Sequence, residues 1–289
     1  MTGIAPILIP LAASGLAVTM VLAALTHVRR REVPFALLNL VLLAGASFVA
    51  RHYFANRSLL PWRHDGPMLY EVVHTLVPPV AKTLWRPRVT GLEHVPATGP
   101  VILASNHLSF VDSVVIPIVV PRKVVFLAKS DYFDGTGVKG TLSRVWFEGL
   151  GMLPVDRDDT KAALASLDTA LAVLGRGEAF GIYPEGTRSR DSRLYRGRTG
   201  VAHLALTAGC PVVPVGLTGT QDIQPVGAKL PRLAKVSVEF GEPLDFTGRY
   251  DGVPLGRARR AVTDEIMAAI GRITGQEPAG AYNERPTDA

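Results

Sequence analysis

Residues 101–112 read Val101-Ile-Leu-Ala-Ser-Asn106-His107-Leu-Ser-Phe-Val-Asp112, and the reading of the fold starts from them. Val101 to Ala104 is short and apolar, bounded by Gly99-Pro100 before and Ser105-Asn106 after, which predicts a buried strand. Further on, Val124 to Ala128 predicts a second such strand. Lys161 to Leu174 has helical apolar spacing and stops at Gly175. Ala179 to Tyr183 then predicts a strand, His203 to Ala208 part of a helix, and Val212 to Leu217 a strand. Val236 to Phe240 alternates as a half-exposed strand does, and Arg257 to Ile273 is a last amphipathic helix. Strands alternating with helices predict an α/β domain with a mixed, largely parallel sheet.

The H-x4-D spacing of His107 and Asp112 directly follows the first strand. By itself it is weak, because such a pair arises by chance in about a third of chains with this much His and Asp. Its position strengthens it: catalytic groups in open α/β sheets gather beyond the carboxyl ends of strands. A carboxylate on one imidazole nitrogen fixes the tautomer and leaves the other nitrogen free to accept a proton. The same residues also fit a helix-capping Asn106 followed by a surface His and an unrelated Asp.

A second stretch follows the strand ending at Tyr183: Pro184-Glu185-Gly186-Thr187-Arg188-Ser189. Glycine permits close backbone approach and arginine offers bidentate, charge-assisted hydrogen bonds, so the stretch suits a phosphate. A plain turn with Pro184 at its second position is the competing reading. Yet Glu-Gly-Thr-Arg should arise by chance in well under about one chain in a hundred.

Composition narrows the function classes. The 289 residues are 47% hydrophobic, with mean hydropathy +0.23, net charge +6 and pI near 9.6. Much of the apolar excess lies in the first fifty residues. Ile4 to Thr26 carries no charge and as a helix would span about 35 Å, enough for a bilayer core. Val33 to Ala50 is a second uncharged run, at the lower limit for a span. Between them stand Arg29, Arg30 and Arg31. No Lys or Arg precedes the first run and no Ala-x-Ala-like site precedes the arginines, so an anchor is expected rather than a cleaved leader. The arginine cluster prefers the cytoplasm, whereas Arg51, Arg57 and Arg63 pull the opposite way, so topology stays open between two spans and one span with an interfacial segment. Cys210, the single cysteine, excludes an intrachain disulfide framework and a Cys-based zinc site.

Other chemistries find little support. No Gly-x-Ser-x-Gly marks a serine hydrolase elbow. Gly135-Thr-Gly137-Val-Lys-Gly140 formally matches a dinucleotide fingerprint, but Ser130 to Asp134 separates it from the preceding strand, and a mobile flap is the better reading. The basic loop Arg193-Leu-Tyr-Arg196-Gly-Arg198 lacks aromatic interleaving, which favours a phosphate or lipid headgroup over nucleic acid. Arg86 and Arg88 fit either docking to anionic lipid or simple solvation.

Taken together, the motifs resemble the glycerolipid acyltransferase family typified by bacterial 1-acylglycerol-3-phosphate acyltransferases. The family signature is N-H-x4-D, a block ending in Asp-Arg, a P-E-G-T-R block, and an apolar block with V-P-V. This chain has Asn106 to Asp112, Gly151 to Asp156-Arg157, Tyr183 to Ser189 and Pro211 to Val215, in that order. The resemblance covers roughly Gly91 to Gly241. Lys129 matches a lysine usual in the family, although Asp131 comes one place later than the family's acid, which weakens a role for that acid.

The resemblance implies His107 as general base, Asp112 as its orienting carboxylate, and a phosphate subsite drawn from Lys129, Arg157, Glu185, Gly186, Thr187 and Arg188. It implies transfer of a fatty acyl group to lysophosphatidic acid. The expected partners are acyl-CoA or acyl-carrier protein as donor, a lysophospholipid acceptor and membrane lipids, with no metal or redox cofactor and no nucleic acid. Another acceptor on the same fold, or a catalytically silent lipid-binding protein, stays open. The expected organisation is a membrane anchor over 1–63, a catalytic domain over 64–275 and a disordered tail over 276–289. The inner membrane is the expected location, with the catalytic domain facing the cytoplasm, where acyl thioesters are made.

Overall fold

The structure, a computed structural model, describes residues 85–136, 140, 143–144, 147, 150–155, 160–225 and 232–284. The chain divides into two compact units, 1–68 and 69–289, and every described residue belongs to the second. Both apolar runs of the expected anchor lie outside the described residues. Among the described residues no helix is long and apolar enough to cross a membrane.

Strand β1 (Arg88–Thr90) leads through a 3-10 turn to β2 (Val101–Ser105), whose five residues are all buried. Helix α1 (Asp112–Val119) follows, then the short strands β3 (Val124–Val125) and β4 (Leu127–Lys129). After β5 (Leu153–Val155) come helix α2 (Thr160–Gly175) and β6 (Ala179–Ile182). Helix α3 (Gly200–Ala208), β7 (Val212–Thr218), the single turn α4 (Thr220–Ile223), β8 (Ser237–Phe240) and the long α5 (Leu255–Thr274) complete the order.

Six strands form one sheet in the order β1-β8-β7-β2-β6-β3, while β4 and β5 pair separately. All pairs are parallel except β7 with β8. The expected mixed, largely parallel sheet is therefore present. The run Val124 to Ala128, read as one strand, divides at Phe126: β3 joins the large sheet and β4 the small one. The expected helices and strands otherwise lie within one to three residues of their observed ends.

Successive side chains of a strand point to opposite faces, and the core divides accordingly. Val101 and Leu103 of β2 join one apolar cluster with Val115, Ile116 and Val119 of α1. Ile102 and Ala104 join the other, with residues of α2, α3 and α5. Two local sequence features fit this packing. A Cβ on Gly216 of β7 would lie 2.3 Å from Ile273 Cγ2, so the bare glycine lets α5 settle on the strand. Pro214 lies within the interior strand β7, and its oxygen accepts from Gly241 N–H at 2.8 Å on the β8 side. Its missing N–H faces that side too, just past the last β7–β8 pair, Val215 with Phe240.

The tail expected to be disordered is instead ordered as far as Glu284. Leu194 N–H donates to Glu277 O, Ala279 N–H to Leu194 O and Arg196 N–H to Ala281 O, at 2.8–2.9 Å. Composition misled here because backbone groups make these bonds and need no apolar side chains. Residues 285–289 lie outside the described residues.

Candidate active site

Strands β2 and β6 are parallel neighbours with Ala104 opposite Ile182, so the chain leaves both strands at the same edge of the sheet. The N-H-x4-D turn follows β2 and the P-E-G-T-R turn follows β6. Residues about eighty positions apart in sequence meet for this reason.

At the end of β2, Asn106 does not cap a helix. Its Oδ1 accepts from Leu217 N–H at 2.8 Å and its Nδ2 donates to Leu217 O at 3.0 Å and to Gln276 Oε1 at 2.8 Å. The side chain thus extends the β2–β7 pairing where the backbone has turned away, and it is fully buried. The next residue, His107, is turned into a partly exposed position.

His107 Nδ1 lies 2.8 Å from Asp112 Oδ2. The same oxygen accepts Leu108 N–H at 2.7 Å and Ser109 N–H at 2.8 Å. Asp112 opens α1, where the positive end of the helix dipole favours a carboxylate. With Nδ1 donating to the carboxylate, Nε2 is the basic nitrogen. The imidazole also stacks on Tyr183, with centroids 3.9 Å apart and planes 9° apart. Tyr183 is held in turn by Ser113 Oγ at 2.9 Å and by the Phe126 ring at 5.5 Å.

Glu185 ties the two turns together. One carboxylate oxygen accepts His107 N–H at 2.9 Å and the other accepts Tyr195 N–H at 3.0 Å. The side chain is fully buried. Burial pushes its carboxyl up to about 7, the Tyr195 and His107 amides oppose that, and Asp112 and Asp191 add to it. This corrects the sequence-based placing of Glu185 among substrate contacts: both oxygens are occupied by backbone donors and no face is open to a ligand. A further brace runs from Ser189 N–H to His107 O at 2.7 Å.

Gly186 sits at φ +79°, a conformation other residues adopt only with strain, and a Cβ there would lie 3.0 Å from Arg198 Nε. Arg188 is exposed, and its guanidinium has no hydrogen-bond or ion-pair partner among the described residues. Thr187 is half-buried beside it. Lys129 ends β4, and Arg157 lies outside the described residues. The structure therefore brings His107, Asp112, Glu185, Gly186, Thr187 and Arg188 together and describes no side chain for Lys129 or Arg157.

A cavity of about 140 Å³ opens beside the imidazole, lined by His107, Tyr183 and Gly186 and by apolar residues including Leu127, Leu167 and Leu204. Sequence reasoning placed Tyr183 at the head of the Tyr183 to Ser189 block but gave it no role, and did not identify Gln276 or Asn283 as part of this region. The stacking of Tyr183 on the imidazole leaves no mark in the motif, and the other two sit in a segment whose composition carries no site signal. Among the described residues no three His, Cys, Asp or Glu side chains gather as a metal site.

Residues 86–218 match the family model Acyltransferase, and residues 1–49 match the DoxX-like family. A 1-acyl-sn-glycerol-3-phosphate acyltransferase of Bacillus subtilis is 28% identical over 63% of this chain and 85% of its own. A chloroplastic enzyme of the same name from Brassica napus is 30% identical over 49% of this chain and 40% of its own length. The chain thus spans less than half of the Brassica relative. The crystal structure of the 1-acyl-sn-glycerophosphate acyltransferase of Thermotoga maritima shares the fold, with a TM-score of 0.56 and 23% identity over 84% of this chain and 97% of that one.

Proposed function

We propose that the chain, whose residues 86–218 match the Acyltransferase family model, moves a fatty acyl group from acyl-CoA or acyl-carrier protein to the hydroxyl of lysophosphatidic acid, giving phosphatidic acid. One observation carries the reading. The His107–Asp112 pair is joined, through Ser189 N–H to His107 O and through Glu185, to the loop that presents Arg188. The turn that carries the base and the loop that carries an exposed arginine are thus tied to each other through their backbones, as suits an acceptor with a hydroxyl near its phosphate.

His107 Nε2 takes the proton of the acceptor hydroxyl while Nδ1–H stays on Asp112. The hydroxyl oxygen attacks the thioester carbonyl carbon and forms the new C–O bond. Collapse of the tetrahedral intermediate breaks the C–S bond, and the thiolate leaves with the proton returned from His107. Asp112 keeps the tautomer and stabilises the imidazolium. Arg188 holds the acceptor phosphate, with Thr187, Lys129 and Arg157 completing the subsite and Gly186 allowing close backbone approach. The cavity beside His107 offers an apolar wall to an acyl chain. The residues before 64 anchor the domain to a bilayer, and the inner membrane with the domain facing the cytoplasm is the location that this donor chemistry favours.

The test is acyl transfer by the detergent-solubilised protein from labelled oleoyl-CoA to a panel of acceptors, with His107→Ala beside wild type. Product on lysophosphatidic acid, reduced about 10²–10⁴-fold in the variant, is the expected result. Product on another acceptor alone would keep the chemistry and change the substrate, and equal turnover by His107→Ala would remove His107 as the base.

A further inference from the structure

The C-terminal segment 276–284 reaches the candidate site at both of its turns. Gln276 Oε1 accepts from Asn106 Nδ2 at 2.8 Å, while its Nε2 donates to Ser192 O at 2.7 Å. Seven residues on, Asn283 Nδ2 donates to Arg188 O at 3.1 Å and to Thr187 O at 3.4 Å. Both partners are carbonyl oxygens, so only the amide nitrogen can face them. Asn283 is 9% exposed, although the residues on either side of it are exposed. Its own carbonyl accepts from Arg198 Nη2 at 3.3 Å. Tyr282 lies against the Arg196 and Arg198 guanidiniums at 5.2 and 5.7 Å, and its hydroxyl accepts from Arg260 Nη1 at 3.1 Å.

From this arrangement we infer that the segment is a strap that sets the backbone of the Thr187–Arg188 loop, with Asn283 as the positioning residue; the inference rests on the proposed use of Arg188 for the acceptor phosphate. The geometry works through the planar peptide, in which C=O and the next N–H point in opposite directions. Holding Thr187 O turns the Arg188 amide away from the strap. Holding Arg188 O turns the Ser189 amide away as well, and that amide is the one bonded to His107 O. The loop is thereby clamped from both sides, and the start of the Arg188 side chain has one direction. Gly186 on its left-handed φ permits the turn, and the strap selects one version of it. An arginine whose backbone is set before the ligand arrives leaves less to be ordered on binding, so the strap acts on affinity for the phosphate and not on proton transfer.

Asn283→Asp keeps the side-chain shape but sets a carboxylate against two carbonyls, and Asn283→Ala removes the donor. In the full-length protein, both are expected to raise KM for lysophosphatidic acid about tenfold, Asp at least as much as Ala, with kcat within about twofold. KM for a monoacylglycerol of the same chain, which lacks the phosphate, is expected to stay put. Hydrogen exchange should quicken at the amides of residues 186–189 while the amides of β2 and β6 keep their protection. Unchanged KM and unchanged exchange would overturn the strap, as would a rise in KM shared equally by the two acceptors. If the wild type acylates neither acceptor, the proposed function fails, and the exchange measurement alone still decides whether Asn283 holds the loop.

Discussion

Asp112 Oδ2 accepts three N–H groups at once, from the His107 ring and the Leu108 and Ser109 backbones, and this separates its structural from its chemical role. Asp112→Asn can keep an oxygen on the two backbone donors while losing the charge opposite the imidazolium. It is expected to unfold within a few degrees of wild type and to lower kcat by about 10²–10⁴-fold. Measuring both quantities on one preparation decides it: a large drop in melting temperature alongside the kcat loss would mean the carboxylate chiefly holds the turn. Glu185 makes the second residue-scale prediction. Its carboxyl is pushed from an ordinary 4.5 up to about 7 by burial. Between those values the native state keeps a proton that the unfolded chain has released. Its contribution to stability is therefore complete below about pH 4.5 and is lost as pH rises through 7, on the order of 3 kcal/mol in all. Melting curves of wild type should fall more steeply from pH 5.5 to 8 than those of Glu185→Gln. Parallel profiles would show that Glu185 titrates as an ordinary surface carboxylate.

At the scale of elements, the break between β3 and β4 falls on Phe126, which five apolar residues in a row do not announce. Its ring lies over Gly181 of β6, where an added Cβ would sit 2.1 Å from Cζ, and it also faces Tyr183. Gly181 thus makes room for a ring that supports the aromatic stack under His107. Gly181→Ala is expected to cost about 1–3 kcal/mol through overpacking. Combining it with Phe126→Leu should recover part of that loss, and urea unfolding of the two single variants and the double checks the coupling. Strict additivity would mean that the strand shifts as a body and the ring is not what Gly181 accommodates.

For the whole molecule, the testable consequence lies in the apolar runs before residue 51. The full chain is expected to sediment with membranes and to resist extraction by alkaline carbonate, whereas a peripheral protein would be released. The rest of the architecture follows from parallel pairing. Because β2 and β6 run side by side in one direction, the turns after them share an edge, and Glu185 and Ser189 can bond to His107. The residues of both turns were legible in the sequence, because their chemistry and order are local and stand directly after apolar strands. So were the alternation of strands and helices and most of their boundaries, which follow from hydrophobic period. Tertiary structure alone decided which strands are neighbours, that Glu185 faces inward to backbone donors, that Asn106 completes the β2–β7 pairing, and that residues 276–284 contact both turns of the candidate site. The physical reason is the same in each case. Apolar burial leaves a periodic mark on the chain, whereas a hydrogen bond between groups 78, 111 or 95 positions apart depends on where the folded strands set them and leaves none.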